Sequence, residues 1–99
     1  MRPLRALPLI ALLAACAEGE VHVESDTSWQ GSIDGIGAVE GTGDRVFEVS
    51  VGDDTCWQLT KTGPNGVLRA YGREKTVFGT DIADDATTTA PGGRVAGCL

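Results

Sequence analysis

Through most of its length the chain alternates apolar and polar residues in short runs, each cut off by glycine, proline, asparagine or aspartate. A period of two is the signature of a strand with one buried face, whereas a helix repeats apolar residues at three and four. After Ala17 no long window carries the helical repeat. Residues 20–24 set Val21 and Val23 between Glu20, His22 and Glu24. Residues 45–51 put Phe47, Val49 and Val51 on one face, and 55–61 put Trp57 and Leu59 opposite Cys56, Gln58 and Thr60. Segment 62–66 combines Pro64, whose φ is fixed, with Gly63, Asn65 and Gly66, which tolerate positive φ. The apolar pattern then resumes over 67–71, which predicts a β-hairpin. Further strands are expected at 29–33, 76–78, 87–90 and 94–98, the last two joined by a turn at 91–93. Segment 32–43 reads as a loop or a glycine-softened strand, and 81–86 has room for only a single helical turn. The expected fold is all-β, a small antiparallel β-sandwich or β-barrel of about six to eight short strands.

The first fifteen residues follow a different plan. Arg2 and Arg5 precede an apolar run over 7–13, and the small pair Ala14 and Ala15 closes it. That is the layout of an export signal, and the run is far shorter than the roughly 20 residues a transmembrane helix needs. Leu13, Ala14, Ala15 and Cys16 resemble the lipobox of bacterial lipoproteins, a likeness that covers the first sixteen residues. The resemblance implies that a signal peptide, residues 1–15, is removed and that Cys16 becomes the mature amino terminus. Its thiol would carry a diacylglyceryl group and its amino group a further acyl chain. At about 0.8 kcal/mol per buried methylene, two or three chains anchor durably where one is marginal. Ala17 follows the cysteine where an aspartate would mark inner-membrane retention, so the outer membrane is favoured. The expected organisation is a signal peptide over 1–15, a lipidated amino terminus and short tether over 16–20, and a single small β domain over 21–99.

Removal of 15 residues from 99 leaves 84, a chain that hides only about 60 to 65% of its unfolded surface. A covalent staple would help so thin a core. With Cys16 assigned to lipid, Cys56 and Cys98 remain as an even pair in an oxidising compartment, and a disulfide is expected between them. Such a bond would fix the last strand beside the one carrying Trp57. The mature part holds six basic and fourteen acidic side chains, a net charge of −8 with His22 neutral. Phosphate backbones would repel it, so nucleic acid is not an expected partner.

The chemistry-bearing residues do not assemble into a catalytic pattern. His22, the only histidine, sits in an expected exposed strand position without a partner motif, and Cys56 has Cys98 to bond. Gly35, Gly37 and Gly41 miss the dinucleotide fingerprint. Asp53, Asp54, Asp81, Asp84 and Asp85 read as polar turns, since the spacing of a calcium loop is absent. No catalytic residue, metal or cofactor is assigned. Trp29 and Tyr71 are the candidates for an exposed aromatic binding surface, weighed against a place in the core. The expected function is that of an exported, membrane-anchored envelope lipoprotein serving as a non-catalytic binding or structural module, with an unidentified envelope protein or glycan as partner. The alternative is an inhibitor or regulator of an envelope hydrolase, of the kind that blocks lysozymes or proteases.

Overall fold

Val21 and Val23 point to one side of the first strand, β1 (Glu18–Ser25), and Glu20, His22 and Glu24 to the other, so one face of that strand must be covered. The computed structural model describes residues 18–50, 55–76 and 78–99, and within them the cover is a second sheet. The remaining strands are β2 (Ser28–Ile33), β3 (Gly37–Thr42), β4 (Arg45–Ser50), β5 (Cys56–Lys61), β6 (Leu68–Thr76), β7 (Gly79–Thr88) and β8 (Arg94–Cys98). They form two four-stranded antiparallel sheets in the orders β4-β1-β6-β7 and β3-β2-β5-β8, which makes the fold an all-β sandwich. β1 with β2, β3 with β4, β5 with β6 and β7 with β8 take corresponding places in the two sheets. Among the described residues only β2–β3 and β6–β7 are hairpins.

The hairpin expected between 55–61 and 67–71 does not form, because β5 and β6 lie in different sheets. Residues 62–67 instead cross the end of the sandwich and are tied to the corner between β1 and β2. The Thr62 and Gly63 amides both donate to the Ser28 carbonyl, at 2.9 and 3.2 Å. The Val67 amide donates to Asp26 Oδ1 at 2.7 Å, and Ser25 Oγ donates to the Val67 carbonyl at 2.8 Å. The turn residues do reverse the chain, but into the other sheet, where β1 supplies the ladder partner for β6. Residues 18–20 of the expected tether are instead part of β1, with Glu18, Gly19 and Glu20 paired to Ser50, Val49 and Glu48. Segment 81–86 is strand rather than a helical turn. Its irregularity is a bulge in which Asp84 and Asp85 stand against Tyr71, with Asp84 at φ 50°. Val51 lies outside the described residues.

The core is built from Val21, Val23, Phe47, Leu68 and Ala70 of the first sheet against Trp29, Ile33, Trp57, Leu59 and Val95 of the second. Both indoles are seated on glycines. Trp29 lies over its register partner Gly41, where an added Cβ would meet Cζ2 at 2.8 Å, and Trp57 lies against Gly72 and Gly97. Trp29 meets Phe47 edge-on at 6.1 Å, and its Nε1–H donates to the Gly43 carbonyl at 2.9 Å. Lys61 is the third inward side chain of β5, fully buried, and its Nζ donates to the Gly63 carbonyl at 2.6 Å.

The Cys56–Cys98 disulfide is present, between register partners of β5 and β8. Beside it the Leu99 amide donates to the Thr55 carbonyl at 2.8 Å, and the Cys98 amide donates across to Asp84 Oδ2 at 2.8 Å. The bulge on β7 thus delivers a carboxylate to β8 and joins the two sheets along that side. Replacing Cys98 with Ser is expected to lower stability by about 4 kcal/mol, the loop-entropy value for a 42-residue closure, read as a shift of the urea unfolding midpoint. Gly41→Ala is expected to cost about 1–3 kcal/mol in the same assay, because Trp29 has no room to retreat.

Candidate binding surface

The polar residues of β1, β6 and β7 that face away from the core meet on the outside of the first sheet. Register places His22 opposite Tyr71 and Glu24 opposite Arg69, with Thr87 opposite Arg69 on the other side. The His22 and Tyr71 rings stack at 5.0 Å with an interplanar angle of 9°. The Arg69 guanidinium lies 4.6 Å from the centre of the same tyrosine ring. Tyr71 is therefore only 8% exposed although it belongs to an outer face.

Carboxylates hold these groups in place. Arg69 donates through Nε and Nη2 to the two oxygens of Asp85, at 2.9 and 2.6 Å, and through Nη1 to Glu24 Oε1 at 2.8 Å. Glu24 Oε2 accepts from the Tyr71 hydroxyl at 3.0 Å, and Glu20 Oε1 accepts from His22 Nε2 at 2.9 Å. Lys75 stands 3.9 Å from the other oxygen of Glu20. A two-pronged guanidinium–carboxylate pair fixes orientation as well as distance. The arrangement is a chain of ordered polar side chains running from Glu20 to Asp85 across three strands.

The protonation states follow from these contacts. Arg69 holds the Asp85 carboxyl below the usual aspartate range, and Asp85 followed by Glu24 hold the guanidinium proton more tightly still. The hydrogen bond from His22 lowers Glu20 against partial desolvation, helped by the charges of Lys75, His22 and Arg73. Burial pushes the Tyr71 phenol up, and Glu24 adds to the shift because it accepts from the neutral hydroxyl.

The expected aromatic platform needs correction. Trp29 is 1% exposed and turned into the core, where Gly41 leaves space for its ring, so it offers no surface to a ligand. Tyr71 is on the outer face, but His22 and Arg69 cover its ring. His22 is not a bare exposed position, being stacked on Tyr71 and bonded to Glu20. Of the acidic residues, Asp84 serves Cys98 and Asp85 serves Arg69, while Asp53 and Asp54 lie outside the described residues, as does Cys16. Among the described residues no group of three or more His, Cys, Asp or Glu is close enough to hold a metal ion. The sequence does not single out Glu24 or Arg69 as site residues, and Asp85, read there as part of a polar turn, is instead the partner of Arg69. The signal for the first two was present, since Glu24 and Arg69 share the outward phase of His22 and Tyr71, but the register that joins them is not written in either strand alone.

Comparison with known proteins gives no match to a protein-family model, a curated protein or a solved structure.

Removing Arg69 tests the electrostatic description. In Arg69→Ala the Asp85 carboxyl is expected to titrate higher, back toward the ordinary aspartate range, as followed by NMR. Because the folded pKa values of Asp85 and Glu20 lie below their unfolded ones, their stabilising contribution is complete at neutral pH. It fades as pH falls through the ordinary carboxylate range. The unfolding midpoint of the parent protein is expected to drop across that window, and that of Arg69→Ala to drop less.

Proposed function

We propose that the chain is an exported envelope lipoprotein, held at a membrane through acylated Cys16, that acts as a non-catalytic binding module presenting the outer face of its first sheet to an envelope protein or glycan. The anchoring part rests on Leu13, Ala14, Ala15 and Cys16, whose order is that of a lipobox. The absence of an aspartate at position 17 favours the outer membrane. The binding part rests on the ordered polar network around Arg69.

Side chains with many rotamers lose roughly 0.5–1.5 kcal/mol each when a partner immobilises them. Arg69, Glu24, Asp85, Tyr71 and His22 are already held by one another, so that ordering is complete before any partner arrives. A surface of this kind suits repeated polar recognition. It also leaves the guanidinium and the imidazole engaged with carboxylates rather than directed at a nucleophile.

Two measurements test the two parts. Cys16→Ala is expected to leave the membrane fraction for the soluble one, and retention in the membrane would contradict lipid anchoring. A photo-crosslinking residue at Thr87, on the proposed face, is expected to yield a defined adduct in the intact envelope, whereas one at Gln58, on the outside of the second sheet, is not. Adducts from Gln58 alone would assign binding to the wrong face.

A further inference from the structure

The two ends of the sandwich can be told apart from register. Glu18 opens β1, so Ala17 alone separates the strand from Cys16. Gly19 stands opposite Glu74 on β6, and two rungs further out Thr76 stands opposite Gly79, where the β6–β7 hairpin turns. The start of β1 and the β6–β7 turn that carries Phe78 therefore lie at the same end of the first sheet. At about 3.3 Å per residue, Cys16 reaches at most roughly 7 Å beyond Glu18.

Phe78 is 96% exposed. The β2–β3 turn at the same end carries a second apolar side chain, Ile36, which is 44% exposed. Its place is set by the Asp34 amide donating to the Cys56 carbonyl at 2.9 Å, and by Thr55 Oγ1 donating at 2.9 Å to the carbonyl of Ser50, the register partner of Glu18. At the opposite end, segments 26–27, 43–44, 62–67 and 89–93 are dominated by polar residues, glycine and proline, with Val67 exposed at 38%. The largest exposed ring of the described residues thus stands at the end of the sandwich where β1 begins.

We infer that the β6–β7 turn is a second membrane contact, in which Phe78 enters the boundary between headgroups and acyl chains while the lipid on Cys16 holds the domain upright, with Ile36 close to the same surface. The inference rests on the lipid-anchored reading of Cys16 and adds an orientation to it. Aromatic side chains favour the headgroup level of a bilayer, and an exposed apolar tip is otherwise a liability in water. The contact is apolar in character, because a chain with a net charge of −8 gains nothing from anionic headgroups. Its consequence is that the outer face of the first sheet stands across the membrane plane, open to partners from the side.

The test uses the acylated protein carrying Phe78→Trp, reconstituted in phosphatidylcholine vesicles with and without brominated acyl chains. The parent protein, whose Trp29 and Trp57 are buried, supplies the baseline, and Val67→Trp reports on the far end. The added emission of the Phe78→Trp protein is expected to shift to the blue and to lose most of its intensity to the brominated chains, while that of Val67→Trp is not. Quenching of position 78 by aqueous acrylamide but not by bromine would overturn the inference and leave lipid anchoring intact. Equal quenching of both positions would also overturn it, because the domain would then lie flat. A protein that carries no acyl chain and stays out of the vesicle pellet would defeat the anchored reading and this inference with it.

Discussion

The attachment of β8 to β5 is the constraint on which the rest of the sandwich depends. The inner face of the second sheet is small, and Trp57 is its largest group on that side, lodged against Gly97 of β8 and Gly72 of β6. A five-residue strand next to the chain terminus would fray if backbone hydrogen bonds alone held it. The Cys56–Cys98 bond removes that freedom and keeps Gly97 over the indole. It also brings the Cys98 amide within reach of Asp84, so the bulge on β7 and the bond on β5 secure the same short strand from two sheets. The one buried side-chain polar atom left without a partner among the described residues, Trp57 Nε1, lies at this junction.

The outer face inherits its order from the core beneath it. Val21 and Val23 direct inward, which fixes the outward phase of Glu20, His22 and Glu24. Leu68 and Ala70 do the same for Arg69 and Tyr71. A slip of one residue between β1 and β6 would exchange the two sets, placing charges inside and valines in water. The stack of His22 on Tyr71 and the fork of Arg69 on Asp85 are therefore consequences of apolar burial on the other side of the same strands. Asp85 reaches Arg69 because the bulge inserts an extra residue opposite Tyr71, so the irregularity that closes the sandwich through Asp84 also completes the polar network.

Strand phase was legible in the sequence wherever apolar and polar residues alternate without interruption. The inward sets Val21 and Val23, and Trp57 and Leu59, follow directly from period two. Pairing was not legible. The run of proline, asparagine and glycines after Lys61 announces a reversal, yet whether the chain returns along β5 or crosses to β1 depends on contacts with Ser28 and Asp26, distant in sequence. β3 was obscured because Gly37 and Gly41 lower its strand character, and Gly41 earns its place only through Trp29. Trp29 and Tyr71 look alike as aromatics in alternating strands, but one faces the core and the other is covered by neighbours brought in by register. The β7 segment resembled a helical turn because Asp84 and Asp85 interrupt the alternation, as a bulge does. The proposed lipid anchor rests on a local motif, and Cys16 lies outside the described residues.

We propose that the three cysteines divide their work, Cys16 to lipid and Cys56 and Cys98 to each other. Intact mass spectrometry of the protein extracted from membranes without reduction reads both assignments in one spectrum. The expected species is a chain of residues 16–99 carrying the mass of its acyl groups and lacking two hydrogens for the Cys56–Cys98 bond. An unmodified polypeptide, or a species that gains hydrogens only at Cys16 on reduction, would contradict it.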